Sequence, residues 1–223
     1  MTRVKICGIL NEKDIEICAE AGVHVLGFVV DYPVPVPWNL TPERARELIA
    51  YVPPFIQTCV VTGGDLKKIL DIAAFTRPNL VQLHYRESLG EIAEMAHSLK
   101  QRGIKTIKAL RINSDGRCDF DIPDPAVAAK ALSESGISAI LADSYTETMP
   151  GGTGKAVELS TFRKIKKESS LPVILAGGLN PANIGNIVCE AQPYAVDILT
   201  GAEKSPGCKD PDKIGRIMAA VCK

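Results

Sequence analysis

Apolar segments and amphipathic segments alternate eight times along the chain, and this alternation restricts the possible folds more than any other feature. Predicted strands begin near residues 4, 24, 55, 80, 104, 137, 172 and 194, and a predicted helix follows each of them. The second strand, residues 23–30, is apolar on both faces, which is typical of parallel strands that are covered by helices. Eight strand–helix units indicate an α/β fold, a (β/α)8 TIM barrel.

Neither a change in composition nor a linker interrupts the 223 residues. We therefore expect residues 1–223 to form a single (β/α)8 barrel domain. A doubly wound open sheet is the alternative fold. It is less favoured because the units number eight and because no GxGxxG motif follows the first strand.

The charge balance excludes several classes of partner. The chain has 26 basic and 26 acidic residues, whereas binding to nucleic acid or to a membrane surface usually needs a basic excess. No apolar run approaches the roughly 20 residues of a membrane span, and the first residues show no signal-peptide pattern. Seven scattered cysteines without a CxxC pair suit reduced thiols better than disulfides or a metal site. We expect a cytoplasmic protein with no metal.

Residues with useful chemistry follow three of the predicted strands. In a barrel of this kind the chemistry lies at the C-terminal ends of the strands, where the sequence places Cys7, His84 and Asp143. Lys5 shares a face with Cys7, and a nearby ammonium favours the thiolate. Each residue also has a structural interpretation, with Cys7 as a small buried hydrophobe, Asp143 as a cap and His84 as a packing residue.

Three glycine-containing loops follow the sixth, seventh and eighth strands. Glycine lets backbone N–H groups approach an anion closely, and the loops after strands seven and eight often bind phosphate in such barrels. The candidate phosphate-binding residues are Gly152, Thr153, Gly154, Gly177, Gly178, Thr200 and Gly201. Any one of these short motifs alone is equally compatible with an ordinary surface loop.

Strands one and eight become neighbours when a barrel closes. Lys5 and Asp197 lie on these two strands, and alternation allows both side chains to point inward. Because an unpaired buried charge is costly, we predict an ion pair between them inside the barrel. The alternative is that Lys5 extends to solvent at the floor of the barrel.

Six segments of the chain, taken together and in order, carry a family resemblance. They are residues 5–8 (KICG), 81–84 (VQLH), 141–144 (LADS), 151–155 (GGTGK), 175–181 (LAGGLNP) and 197–210. They resemble the phosphoribosylanthranilate isomerase family. The resemblance implies a cofactor-free (β/α)8 enzyme of tryptophan biosynthesis that converts N-(5-phosphoribosyl)anthranilate to a carboxyphenylamino-deoxyribulose phosphate by an Amadori rearrangement. It also implies that Cys7 is the general base and Asp143 the general acid.

The chain departs from the family pattern in three loops. Thr200 stands where the family has the second serine of a pair, and Tyr85 stands where it has a glycine. Trp38 stands where the family has an arginine that receives the anthranilate carboxylate. Either another cation, with Arg111 as the candidate, binds this carboxylate, or the substrate lacks it. Trp38, His84 and Arg111 are therefore the possible substrate contacts, although Trp38 is also compatible with a packing role under its loop.

Two classes of function follow from these observations. The first is the isomerase, which acts on a small phosphorylated substrate as a monomer or homodimer. The second is a related barrel whose phosphate site serves another phosphosugar or N-ribosyl compound, or a barrel that binds such a compound without catalysis. The presence of both Cys7 and Asp143 favours an enzyme, because a binding protein needs neither proton-transfer group.

Overall fold

The computed structural model describes residues 1–144 and 158–221. Within these residues, eight parallel strands alternate with eight helices. The strands are β1 (Arg3–Cys7), β2 (Val25–Val30), β3 (Gln57–Thr62), β4 (Leu80–Leu83), β5 (Lys105–Ile112), β6 (Ala139–Ser144), β7 (Val173–Leu175) and β8 (Ala195–Ile198). The helices are α1 (Glu12–Glu20), α2 (Pro42–Tyr51), α3 (Leu66–Thr76), α4 (Leu89–Lys100), α5 (Pro125–Leu132), α6 (Leu159–Glu168), α7 (Ile184–Ala191) and α8 (Pro211–Val221).

Strand β1 closes the sheet into a barrel. It pairs in parallel with β2 on one side and with β8 on the other, and the remaining strands pair in chain order between them. Lys5 lies at the seam, where its partners in the ladder are Val25 and Asp197. The expected (β/α)8 barrel is confirmed, and the open doubly wound sheet is excluded.

Alternation along each strand divides the apolar residues between two layers. One layer lies inside the barrel and includes Cys7, Cys59, Leu141 and Ile174. The other layer fills the space between the strands and the surrounding helices. The inward residues nearest the C-terminal ends of the strands therefore face a common space, and that is where Cys7 lies.

The predicted ion pair between Lys5 and Asp197 is confirmed. Lys5 Nζ lies 2.7 Å from Asp197 Oδ2, and the two side chains are only 4% and 8% exposed. Burial alone would lower the pKa of Lys5, but the Asp197 carboxylate raises it above its ordinary value. The ammonium is therefore held charged inside the barrel.

Several short elements near the barrel rim differ from the sequence-based expectation. A two-residue strand, Asn39–Leu40, extends the sheet beside β2 and was not among the eight predicted strands. A hairpin of Glu203–Ser205 and Cys208–Lys209 follows β8 and was not predicted either. Segments this short carry no readable periodicity, so sequence analysis misses them. In the described part of the chain no helix is long and apolar enough to cross a membrane.

The buried pair at the barrel seam generates a stability prediction. Replacing Lys5 by methionine leaves the Asp197 carboxylate buried without its partner, and we expect the free energy of unfolding to fall by about 3–5 kcal/mol. The double variant Lys5→Met/Asp197→Leu removes both charges and should recover most of this loss. Urea unfolding of the three proteins measures the effect. A Lys5→Met protein as stable as the parent would contradict the prediction.

Candidate active site

A cavity of about 320 Å³ opens at the C-terminal ends of the barrel strands. Its walls bring together Cys7 from β1, Asp143 from β6, and His84 from the turn after β4. Trp38, on the loop after β2, also lines it. The structure therefore places the proposed acid and the proposed base in one cavity, where sequence analysis expected the chemistry.

Cys7 is buried and lies beside an ammonium. An ideal Cβ added to Gly27, on the neighbouring strand, would stand 2.8 Å from Cys7 Sγ and 2.9 Å from Lys5 Nζ. Glycine at this position thus leaves room for the sulfur and the ammonium to lie together. Burial raises the pKa of the Cys7 thiol above its ordinary value, and the Lys5 ammonium offsets part of that rise.

Asp143 holds its proton to an unusually high pH. Burial, and after it the nearby Asp197 carboxylate, raises the pKa of this carboxyl from 3.8 to about 7. The Ser144 backbone, Lys5 and Arg111 oppose the shift. A carboxyl with a pKa near neutrality is suited to donating a proton in general acid catalysis.

His84 faces Asp143 across the cavity. Its Nε2 lies 3.6 Å from Asp143 Oδ2, and its Nδ1 lies 2.9 Å from the Gln82 amide nitrogen. Because that amide donates, Nδ1 accepts and the ring hydrogen is on Nε2, toward Asp143. The Tyr32 hydroxyl donates to the His84 carbonyl at 2.8 Å. Gln82 thus orients the imidazole, and Tyr32 holds the backbone that carries it.

The loops after β7 and β8 meet at the cavity wall between β6 and β1. Gly177, Gly178, Thr200 and Gly201 all line the cavity, as the phosphate-site prediction requires. Gly177 and Gly178 have φ of +87° and +59°, a backbone conformation that favours glycine. A Cβ at Gly201 would stand 1.8 Å from the Leu179 carbonyl oxygen, so the two loops pack too closely for any side chain there.

The third glycine loop lies outside the described residues. Gly152, Thr153 and Gly154, which we predicted to complete the phosphate site, belong to this part of the chain. Their contribution stays a prediction. The convergence of the other two loops on one cavity is observed.

Trp38 is buried and its one polar atom is engaged. The indole Nε1 donates to Glu203 Oε1 at 2.9 Å, and Lys209 Nζ donates to the same oxygen at 2.8 Å. Lys209 also donates to the Cys7 carbonyl at 2.6 Å. Trp38 therefore packs under its loop and lines the cavity at the same time, so it combines the two arrangements that the sequence left open.

Arg111, the predicted alternative cation, lies on the inner side of β5 and forms an ion pair with Asp119. It is not among the described residues that line the cavity. Its predicted contact with substrate therefore stays a prediction. Its observed effect on the site is electrostatic, because its charge opposes the rise in the pKa of Asp143.

Sequence analysis missed Glu203 and Lys209 as site residues. Both are charged, and both are almost completely buried, with side chains 3% and 0% exposed. Charged residues in a polar loop ordinarily face solvent, so the sequence carried no signal for their burial. Tyr32 and Gln82, which hydrogen-bond to His84, were missed as well.

Comparisons with known proteins agree with the geometry. A profile of the N-(5'phosphoribosyl)anthranilate (PRA) isomerase family matches residues 4–220. An N-(5'-phosphoribosyl)anthranilate isomerase from Natronomonas pharaonis is 33% identical over 222 residues, which are 99% of this chain and 98% of the relative. The crystal structure of phosphoribosyl anthranilate isomerase from Thermotoga maritima is 31% identical, with a TM-score of 0.82 over 100% of this chain and 99% of that one.

A second solved structure contains a ligand. It is a phosphoribosyl anthranilate isomerase in complex with reduced 1-(o-carboxyphenylamino)-1-deoxyribulose 5-phosphate. It is 30% identical to this chain, with a TM-score of 0.79, and the match covers 100% of this chain and 99% of that one. A protein of similar fold thus binds a phosphorylated compound.

The environment of Asp143 predicts a titration in the neutral range. We expect its carboxyl to titrate at about pH 7 in the folded protein, as followed by ¹³C NMR, with Asp143→Asn to assign the signal. Because the unfolded chain loses this proton near pH 4, ionising Asp143 costs folding free energy, and its contribution to stability falls as the pH rises from about 4 to 7. A carboxyl signal that titrates below pH 5 would contradict this description.

Proposed function

The chain belongs to the N-(5'-phosphoribosyl)anthranilate isomerase family, and we propose that it catalyses the Amadori rearrangement of this substrate with Cys7 and Asp143 as base and acid. The reaction is an aldose–ketose isomerisation in tryptophan biosynthesis. The observation that supports these roles most strongly is the placement of both groups in one cavity, at the ends of β1 and β6. The elevated pKa of Asp143 adds to it.

The reaction begins with opening of the sugar ring. Protonated Asp143 donates its proton to the furanose ring oxygen, and the bond between that oxygen and C1 breaks. The lone pair of the aryl nitrogen forms the C1=N bond of a Schiff base. The acid must protonate the leaving oxygen, and Asp143 can do so because it carries a proton up to about pH 7.

Proton removal from C2 follows. The Cys7 thiolate takes the C2 proton, the released electron pair forms the C1=C2 bond, and the C1=N electrons return to nitrogen. The enolamine that results tautomerises to the ketone. Lys5, beside the Cys7 sulfur, stabilises the negative charge of the thiolate during this step.

In the reactive state the acid and the base together carry one proton. Asp143 must carry a proton while Cys7 carries none. The Asp143 and Asp197 carboxyls and the Lys5 ammonium interact with one another, and Lys5 and Asp197 also interact with the Cys7 thiol. These groups therefore titrate as a coupled set. The one-proton form is most populated between the pKa of Asp143, about 7, and the higher pKa of the Cys7 thiol. Because the thiol holds the proton more tightly, the reactive arrangement is the minor one of this form, and its population follows the same pH range.

A phosphate group gives the substrate a handle away from the reacting carbons. We assign it to the wall formed by Gly177, Gly178, Thr200 and Gly201, with Gly152, Thr153 and Gly154 completing the site. Closely approaching backbone N–H groups supply the binding. Holding the phosphate at this wall orients C1 and C2 toward Asp143 and Cys7.

Location and assembly complete the proposal. A cytoplasmic location is supported by the cysteines, since the six in the described residues are all free thiols, which suits a reducing compartment. Similar proteins include a dimeric isomerase that has been converted to monomers. We propose a monomer or a homodimer for this chain.

Two substitutions test the assigned roles. Cys7→Ala removes the base and Asp143→Asn removes the acid, and each should lower kcat by about 10²–10⁴-fold or more while the fold stays intact. Turnover of N-(5'-phosphoribosyl)anthranilate by the purified proteins measures the effect, with circular dichroism as the check on folding. Cys189→Ala, at an exposed thiol, is the matched control and should behave as the parent. A Cys7→Ala or Asp143→Asn protein within a few-fold of the parent would remove that residue from the mechanism.

A further inference from the structure

We propose that Trp38 recognises the aryl group of the substrate by ring stacking, and that the buried Glu203–Lys209 ion pair holds the indole in position for it. This inference rests on the proposed function, which supplies a substrate with an aryl group. It assigns a specificity role to Trp38 and positioning roles to Glu203 and Lys209. The support comes from two contacts of the indole, from the ion pair that anchors one of them, and from the chemistry of the wall around the ring.

The first contact fixes the polar edge of the indole. Trp38 Nε1 donates to Glu203 Oε1 at 2.9 Å, and this N–H is the only polar group in the side chain. It is therefore satisfied by the protein before any ligand arrives. What the side chain still offers to the cavity that it lines is apolar aromatic surface.

An ion pair anchors the first contact. Lys209 Nζ lies 2.8 Å from the same Glu203 oxygen, with both side chains almost completely buried. Lys209 also donates to the Cys7 carbonyl at 2.6 Å. One buried ion pair thus ties the indole to the strand end that carries the base, so the aryl wall and the proton acceptor share a common support.

The second contact restricts the ring from the side. An ideal Cβ at Gly8 would stand 2.8 Å from Trp38 Cδ1, and the φ of Gly8 is +74°, a conformation that favours glycine. The indole edge therefore packs directly on the backbone that follows β1. Cδ1 is bonded to Nε1, so both contacts hold the pyrrole edge of the indole. An indole held at that edge loses little further freedom when a ligand binds, which favours affinity.

The wall near Trp38 suits an aromatic ring. Its neighbours along the cavity include Val29, Tyr32, Pro35 and Val36, which are mostly apolar. Among the residues that the structure describes, no lysine or arginine lines this cavity. Aromatic rings that stack in offset or edge-to-face geometry contribute about 0.5–1.5 kcal/mol in addition to the energy of burying their surface. An aryl group therefore binds at this wall more favourably than a group without a ring.

The test uses ligands with and without an aryl group. Reduced 1-(o-carboxyphenylamino)-1-deoxyribulose 5-phosphate carries the ring, and ribose 5-phosphate does not. We expect Trp38→Leu to weaken binding of the aryl ligand roughly tenfold by calorimetry, while binding of ribose 5-phosphate changes less than twofold. Trp38→Phe keeps a flat ring and should lose at most a few-fold. Equal losses for both ligands, or no loss for the aryl ligand, would overturn the proposal.

The positioning role has its own readout, because Trp38 is the single tryptophan of the chain. Glu203→Gln should leave Lys209 without its buried charge partner, shift the Trp38 emission maximum and raise the KM for the substrate. The matched control is Glu87→Gln, which breaks another fully buried pair, with Lys108 at 2.5 Å. The control should lose stability without shifting the emission. The same emission in the parent and in Glu203→Gln would exclude the positioning role.

Failure of this inference is distinct from failure of the proposed function. Turnover of N-(5'-phosphoribosyl)anthranilate by the parent tests the function alone. Binding of the reduced analogue needs no turnover, so the tryptophan variants report on aryl recognition even if the parent proves inactive. Active parent enzyme with unaltered aryl binding in Trp38→Leu would refute only the stacking.

Discussion

The ion pair between Lys5 and Asp197 underlies both the fold and the proposed chemistry. It joins the first and last strands at the seam of the barrel, with both charges almost completely buried. Two charges withdrawn from water in this way seldom add stability compared with an apolar pair of similar size. Hydrophobic residues would thus stabilise the seam equally well. We explain the two charges by their effect on the pKa values of Cys7 and Asp143.

Beside this pair lie Cys7 and Asp143, the proposed base and acid. For both groups burial raises the pKa most, the Asp197 carboxylate raises it and the Lys5 ammonium lowers it. The two ends of one buried ion pair therefore act in opposite directions on each of these groups. Gly27 allows this arrangement, since any side chain there would occupy the space shared by the sulfur and the ammonium.

Features that depend on neighbouring residues in the sequence could be predicted, whereas contacts between residues far apart in the sequence could not. The eight strand–helix units are local patterns and were read correctly, and closure of the barrel then followed from their number. Cys7, His84 and Asp143 were predicted as site residues from their positions after predicted strands, because the barrel topology alone brings these strand ends to one cavity. The contacts of Trp38 with Glu203, and of Lys209 with Cys7, join residues 165 and 202 positions apart. They depend on a hairpin with a two-residue strand, which leaves no periodic pattern in the sequence.

The central claim is that the charges of the buried ion pair act on the protonation of Asp143, whose pKa burial already raises, and titration of the Asp143 carboxyl in an Asp197→Asn variant tests it most directly. The neutral amide removes a negative charge that disfavours ionisation and leaves the Lys5 ammonium, which favours it. ¹³C NMR should therefore show the pKa of Asp143 falling below the parent value of about 7. An unchanged or higher pKa in that variant would contradict the account.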